Sequence, residues 1–360
     1  MLALTLLYKC GFCLSSWFSK RILLKKNSPT LSDVALKAGV SMMTVSRVIN
    51  NKGKVKPETR EHVLKIAAEV GYRPNYIARS LATKRSTTIG LVVPDITNPF
   101  FSEIAKGVED EAYRLGYNVF LCNFDENPER EFDVLTSLAE KQVDGIVLCS
   151  SRQNNKQLYH SLGLFKHVVL INRQLPAPSH TIQSLILDDF NGAKLAVEHL
   201  LSHKRKRIVL LSGPKQSHSA FQKEKGYLAA LKKHNIAHDP EQIKHCSPTM
   251  ICGKDTMSML LKNDPTIDAV LAFNDLLAIG AMLACQEFGK IIPQELEIIG
   301  FDDIPLSKLI IPGITTLTYP KKEIGSIAMK IIYQMMDQDI SLDFPKTFAP
   351  QFIFRQSSPK

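Results

Sequence analysis

The side chains that could do chemistry in this chain are scattered. Asp95, Asp188, Asp275 and Asp302 could in principle supply an acid/base pair, but no nucleophile–base spacing accompanies them. The ten histidines, among them His199, His203 and His218, form no HxH or HExxH pattern. Seven cysteines stand at positions 10, 13, 122, 149, 246, 252 and 285. Cys10 and Cys13 make a lone CxxC with no second pair, and most of the others fall in apolar runs. Buried free thiols in a reducing cytoplasm explain that usage better than a metal site or a disulfide framework. The expectation is therefore no catalytic residues, no metal, no cofactor and no enzyme.

Positive charge, by contrast, is gathered. The formal net charge is +10 over 360 residues. Residues 1–29 carry +5 and residues 30–88 carry +7, which leaves −2 for the rest of the chain. Such asymmetry fits a nucleic-acid module joined to a neutral ligand or protein module, although a solvated basic surface fits the charge equally well. The first 29 residues are apolar and then basic, without a charged segment in front and too short for a membrane span. They read as a disordered extension or an upstream start.

The elements that must position these residues follow from periodicity. Leu31, Val34, Ala35 and Ala38 lie at helical spacing, and Gly39 is placed to end that helix. Ser41 is placed to cap a second helix carrying Thr44, Val45, Val48 and Ile49. Pro57 starts a third, with Val63, Leu64, Ile66, Ala67 and Val70 as its apolar face and Gly71 after it. Two short helices joined by a glycine-containing turn predict a helix-turn-helix. From Ile89 the pattern changes. Apolar runs at 89–94, 118–123, 145–149, 168–172, 185–188, 208–213, 269–273 and 297–301 predict strands. Helical stretches at 101–115, 130–141, 192–202, 221–234, 276–288 and 321–336 lie between them. Such alternation predicts a parallel doubly wound sheet, and nearly 270 residues of it predict two lobes. No phosphate loop or GxGxxG occurs.

The segment TLSDVALKAGVSMMTVSRVIN, from residue 30, resembles the DNA-binding domain of the lactose-repressor (LacI/GalR) family. The resemblance continues through KVKPETREHVLKIAAEVGYRPNYIARSLATKRSTTIGLVVPDITNPFF and reaches EIIGFDDIPLSKLIIPGITTL and the FRQS tail. SMMTVSRV, VKPETR, KQVDGI and FRQS are most similar to the catabolite control protein A branch. The implied fold is an all-α helix-turn-helix domain plus an α/β two-lobed type I periplasmic-binding-protein-like effector domain. The implied boundaries are 30–74 for the DNA-binding domain, 75–88 for a hinge helix and linker, and 89–360 for the effector and dimerisation domain. Lobe 1 would span about 89–187 plus 319–343, and lobe 2 about 188–318 plus 344–360.

What the resemblance implies about residues can be weighed physically. A recognition helix in the major groove would offer Met42, Met43 and Arg47 to base edges, with Arg47 able to chelate guanine. Ser41, Thr44, Ser46 and Asn50 are sized for phosphate oxygens. The segment from Arg73 to Leu81 matches the family's hinge helix, which is too short to be stable alone. There Asn75 and Arg79 would meet DNA, and Leu81 would wedge into the minor groove and kink the duplex. Carried-over effector positions are Asp95, Phe100, Phe101, Arg173, Asp188, Lys223, Asn274, Asp275 and Asp302. Phe100 matches an aromatic that stacks on the effector ring, and Asp302 an acid that accepts sugar hydroxyls. For Asn274, Asp275 and Asp188 a helix-capping role competes on equal terms.

Three departures bear on the ligand. Lys223, in KEKGY, stands where the family has a clamping arginine, and lysine lacks the bidentate fork. Asn172 replaces a frequent aspartate. Pro305 and Ile311 replace arginines that dock a phosphocarrier protein in the catabolite control branch, so that partner is doubtful. The expected whole is a cytoplasmic homodimeric repressor of carbohydrate-metabolism genes. It would bind double-stranded operator DNA and a small-molecule effector, a sugar or sugar derivative, with no role at a membrane. A secreted sugar-binding protein would fit residues 89–360 almost as well, and the helix-turn-helix argues against it.

Overall fold

Thr30 begins the first helix by a reciprocal bond: its hydroxyl accepts from the Asp33 amide while the Asp33 carboxylate accepts from the Thr30 amide. The structure, a computed structural model, describes residues 29–51, 53–73, 85–176, 180–237, 239–337 and 343–360. It divides into two compact units at Lys84/Arg85. In the first, α1 (Leu31–Ala38) ends at Gly39 with φ 67°, a left-handed conformation that glycine adopts without strain. Helix α2 (Met42–Ile49) and α3 (Pro57–Glu69) complete it around fully buried Val34, Val45 and Val63. Leu64, expected on the apolar face of α3, instead faces solvent.

The second unit opens with β1 (Thr88–Val93), α4 (Pro99–Arg114), β2 (Asn118–Asn123), α5 (Pro128–Glu140) and β3 (Gly145–Cys149). It continues through α6 (Asn155–Leu162), β4 (Val168–Ile171) and β5 (Ile182–Leu187). A second lobe then runs through α7 (Asp189–Ser202), β6 (Ile208–Ser212), α8 (His218–Lys233), β7 (Ile243–His245), α9 (Met250–Asn263) and β8 (Ala269–Ala272). Helix α10 (Asp275–Glu287), β9 (Glu297–Phe301), α11 (Pro305–Leu309) and β10 (Thr315–Thr318) follow. The chain ends with α12 (Lys321–Met336), β11 (Thr347–Phe348) and β12 (Gln351–Ile353).

These strands form two six-stranded sheets, ordered β11-β5-β4-β3-β1-β2 and β12-β10-β9-β8-β6-β7. Every pairing is parallel except β10 with β12. Strands β1, β3, β4, β6, β8 and β9 are buried along their whole length, as strands covered by helices on both faces must be. The chain crosses between the lobes three times: after β5, between β10 and α12, and between β11 and β12. The boundary expected at residue 344 is therefore displaced, because β11 pairs with β5 in the first sheet. Its two-residue length left no periodic signal. The other unexpected elements, α6, α9, α11, β7, β10 and β12, are also short or carry mixed polar patterns. No helix of the described residues is long and apolar enough to cross a membrane.

Helices α4 and α12 meet through a reciprocal glycine contact. A Cβ at Gly107 would lie 2.0 Å from the Lys322 carbonyl oxygen, and one at Gly325 would lie 2.1 Å from that of Ile104. Backbone cannot yield as a side-chain tip can. Gly107→Ala or Gly325→Ala is expected to destabilise the second unit by about 1–3 kcal/mol, read as a lowered denaturant midpoint at unchanged slope.

Candidate DNA-reading helix and effector cleft

Helix α2 owes its direction to Ser41, whose Oγ accepts from the Thr44 amide at 3.1 Å and lies 3.0 Å from Thr44 Oγ1. Val45 and Val48 anchor one face in the core. The opposite face presents Met42 and Met43, 57% and 63% exposed, together with Arg47. Exposed methionines at adjacent positions pack against no core here, so this face offers an arginine with a bidentate fork beside two apolar tips. At the far end Asn50 Nδ2 donates to the Ser46 carbonyl at 2.9 Å and to Ser46 Oγ at 3.3 Å, so these two close on each other. Arg60 Nη1 donates to Asn51 Oδ1 at 2.8 Å and fastens α3 to this end of the helix. Asn75, Arg79 and Leu81 lie outside the described residues.

In the second unit, the carboxyl ends of both sheets face a narrow cleft with a cavity volume of about 30 Å³. Phe100 and Phe101 enter it from the start of α4, which Asn98 caps by accepting from the Phe100 amide at 3.0 Å. Their rings meet edge to face at 5.1 Å. Lys223, Asn274 and Asp302 also line it, as expected. Lys223 Nζ donates to the Phe273 carbonyl at 2.9 Å and sits over the Phe301 ring at 4.0 Å. Asn274 Oδ1 is occupied in capping α10 through the Leu277 amide. Asp302 has φ 102°, and among the described residues no hydrogen bond reaches its carboxylate. Burial pushes its pKa up to about 6, against the pull of Lys223 and Lys321.

The other expected positions lie elsewhere. Asp188 is the cap of α7, accepting from the Asn191 amide at 3.1 Å. Its neighbour Asp189 is the cleft carboxylate, buried and lining the cavity. Asp95 closes an exposed turn through the amide and hydroxyl of Thr97. Arg173 donates to the Gln153 carbonyl and to Asn155 Oδ1 beside the cavity, and is not among its lining residues. Asp275 is fully buried beneath the cleft, where it accepts from the Ile304 amide at 2.9 Å and Thr316 Oγ1 at 2.6 Å. Burial and the neighbouring Asp302 raise its pKa to about 8.

Sequence reasoning missed Asp189, Arg152, Ser219 and Tyr319. Asp189 Oδ2 accepts from Asn172 Nδ2 at 2.8 Å and Ser219 Oγ at 2.6 Å; Oδ1 accepts from the Tyr319 hydroxyl at 3.2 Å and lies 3.4 Å from Lys223 Nζ. Arg152 is buried and donates twice to Glu126, at 2.5 and 3.1 Å, and once to the Ser150 carbonyl. Both cations lining the cavity are thus matched by carboxylates. Asn172 Oδ1 is buried without a hydrogen-bond partner. The one signal for Asp189 was the pair Asp188-Asp189 at the end of β5, from which the first member was chosen.

A helix with an exposed reading face, followed by two parallel-sheet lobes around a polar cleft, defines a DNA-binding regulator controlled by a small molecule. Comparison with known proteins bears this out. Residues 30–75 match the model of bacterial regulatory proteins of the lacI family. Residues 86–347 match periplasmic binding proteins and the sugar binding domain of the LacI family. The chain is 37% identical to a ribose operon repressor of Halalkalibacterium halodurans, over 86% of this chain and 91% of that protein. It is 36% identical to catabolite control protein A of Priestia megaterium, over 91% and 99%. The lac repressor dimer bound to operator and the anti-inducer ONPF superposes with a TM-score of 0.81 at 25% identity, covering 92% of this chain and 100% of that one. The chain belongs to the LacI family of transcriptional regulators, not to any enzyme family.

Arg47→Ala is expected to leave the unit folded, because the side chain is exposed. It should weaken binding to an operator selected in vitro by about 1–3 kcal/mol while leaving affinity for random duplex nearly unchanged, measured by fluorescence anisotropy.

Proposed function

We propose that the protein is a dimeric repressor of carbohydrate-metabolism genes whose effector is an uncharged sugar or sugar derivative held between the two lobes. Asp302 and Asn172 would anchor hydroxyl groups, and Phe100 and Phe101 would cover an apolar ring face. The observation that carries this is the charge balance of the cleft. Lys223 and Arg152 are already paired with Asp189 and Glu126, while Asp302 has no described donor on its carboxylate. A phosphate or carboxylate ligand would have to break a buried ion pair, which leaves an uncompensated charge. A sugar hydroxyl only needs acceptors, and Asp302 and Asn172 Oδ1 are such acceptors.

Two copies of Arg47 in a dimer would read a pseudo-palindromic operator, with Asn75, Arg79 and Leu81 acting in the minor groove as in the family pattern. We place its action in the cytoplasm, where that DNA is. Ser41, Thr44, Ser46 and Asn50 would serve phosphates only in addition to the bonds they already make within α2. The substitutions at Pro305 and Ile311 give no support to a phosphocarrier partner.

The reading is tested by thermal unfolding with a panel of neutral sugars, their phosphate esters and nucleobases. A neutral sugar at a hundredfold excess over its Kd should add about 2.7 kcal/mol of stability. Stabilisation by phosphate esters alone would overturn the reading. Asp302→Asn should weaken the responding sugar by about tenfold or more, since a charged acceptor is lost. Asp275→Asn should leave it within about twofold, because the amide can accept from Ile304 and donate to Thr316 within the same shape.

The pH dependence has a definite sign. The free Asp302 carboxyl takes up a proton as pH falls through about 6, and the protonated form is the poorer acceptor. Sugar affinity measured by calorimetry should be level above about 6 and fall below it, approaching about tenfold per pH unit.

A further inference from the structure

The fold gathers two of the histidines whose spacing suggested no metal pattern. His199 and His203 lie four residues apart at the end of α7, on one side of the helix, with ring centroids 4.3 Å apart. Glu297, the first residue of β9, lies against them, and His203 Nδ1 is 3.0 and 3.1 Å from its two carboxylate oxygens. One ligand atom from each of the three residues lies within 4.8 Å of the other two.

The surroundings have the features of a supported metal site. Arg205 Nε donates to Glu297 Oε1 at 2.9 Å, and Arg205 Nη1 donates to the Gln294 carbonyl at 3.1 Å. The other oxygen, Oε2, accepts from the Ser358 hydroxyl at 2.5 Å. Ser358 Oγ is also 3.1 Å from His199 Nε2, so hydroxyl, imidazoles and carboxylate surround one point. The rings of Phe352 and Phe354 flank His199 at 5.5 and 5.2 Å and limit its rotation. Carboxylate ligands fixed by a hydrogen-bonded neighbour, in a partly apolar shell, are the usual support of a metal. The glutamate side chain is 4% exposed and that of His203 26%, which leaves an approach from solvent.

We propose that His199, His203 and Glu297 form a site for a divalent transition cation of the zinc type, separate from the effector cleft. Two imidazoles and one carboxylate select zinc, cobalt or nickel over magnesium and calcium, which prefer all-oxygen shells. The cation would replace the proton shared between His203 Nδ1 and Glu297 and take a fourth ligand from water or Ser358. It would fasten the C-terminal segment to α7 and β9. Those same two elements begin and end at the cleft, α7 with Asp189 and β9 with the residue before Asp302.

The test uses the full chain, stripped with a chelator and titrated with zinc chloride against a chromophoric indicator, beside His203→Leu and Glu297→Gln. The wild type should hold one zinc that both variants bind at least about tenfold more weakly. The cobalt difference spectrum between wild type and variant should lack a thiolate charge-transfer band, which separates this site from the chain's cysteines. Absence of bound zinc, equal affinity in wild type and variants, or a thiolate band in the difference spectrum would overturn the proposal. If His203→Leu proves unfolded by circular dichroism, Glu297→Gln alone decides, since it keeps the shape of the side chain.

Discussion

One buried carboxylate holds the regulatory half of this protein together. Asp189 is 1% exposed, yet it accepts from an asparagine at the end of β4, a serine at the start of α8 and the tyrosine that follows β10, and it faces the Lys223 ammonium. A charge taken out of water costs several kcal/mol unless such donors replace its hydration. The groups that supply them come from both lobes and from one of the three crossings between lobes, while Asp189 itself stands at another. Lys223, equally buried, completes its own shell with the Phe273 carbonyl and the Phe301 ring. The pair therefore fixes the relation of the lobes at the point where the cavity opens, and it settles the charge of that cavity before any ligand arrives.

This constraint is the ground for the proposed neutral polyol ligand. Its cations are spent on structure, and Asp302 remains as a carboxylate held in a left-handed turn at the end of β9. The backbone carbonyl of Asp302 is bound by Lys321, at the start of α12, so the turn is tied to the next crossing. A ligand that engages Asp302 from lobe 2 and Asn172 or Phe100 from lobe 1 would bias how the lobes close. Such a bias is limited in size, since a ligand shifts an equilibrium only by its differential affinity for the two states.

How much of this was legible in the sequence depends on whether a feature is local. The cap at Ser41 and the glycine stop at Gly39 are set by neighbours a few residues away and were legible, whereas the reciprocal cap at Thr30 appeared only in the structure. The buried strands β3 and β9 were legible to the residue because continuous apolar runs mark strands covered on both faces, and the same kind of run marked β2, although it is a partly exposed edge strand. The cleft is assembled through space. The choice between Asp188 and Asp189 turns on which carboxylate points inward at the end of β5, and only Asn172, Ser219 and Tyr319, far away in sequence, decide it. Asp275 lies next to Asn274 in the chain and yet faces the core, where it supports the Asp302 turn through Ile304 and Thr316. Arg152 and Glu126 carried no pattern at all, since their pairing joins two separate loops.

The most direct measurement is the affinity of the protein for its operator with and without a neutral sugar that stabilises it, set beside the phosphate ester of the same sugar. The expected result is a change in operator Kd of about fivefold or more with the neutral sugar and none with the ester. A change with the ester alone, or an operator affinity indifferent to every sugar that binds, would contradict a cleft whose cations are already spent.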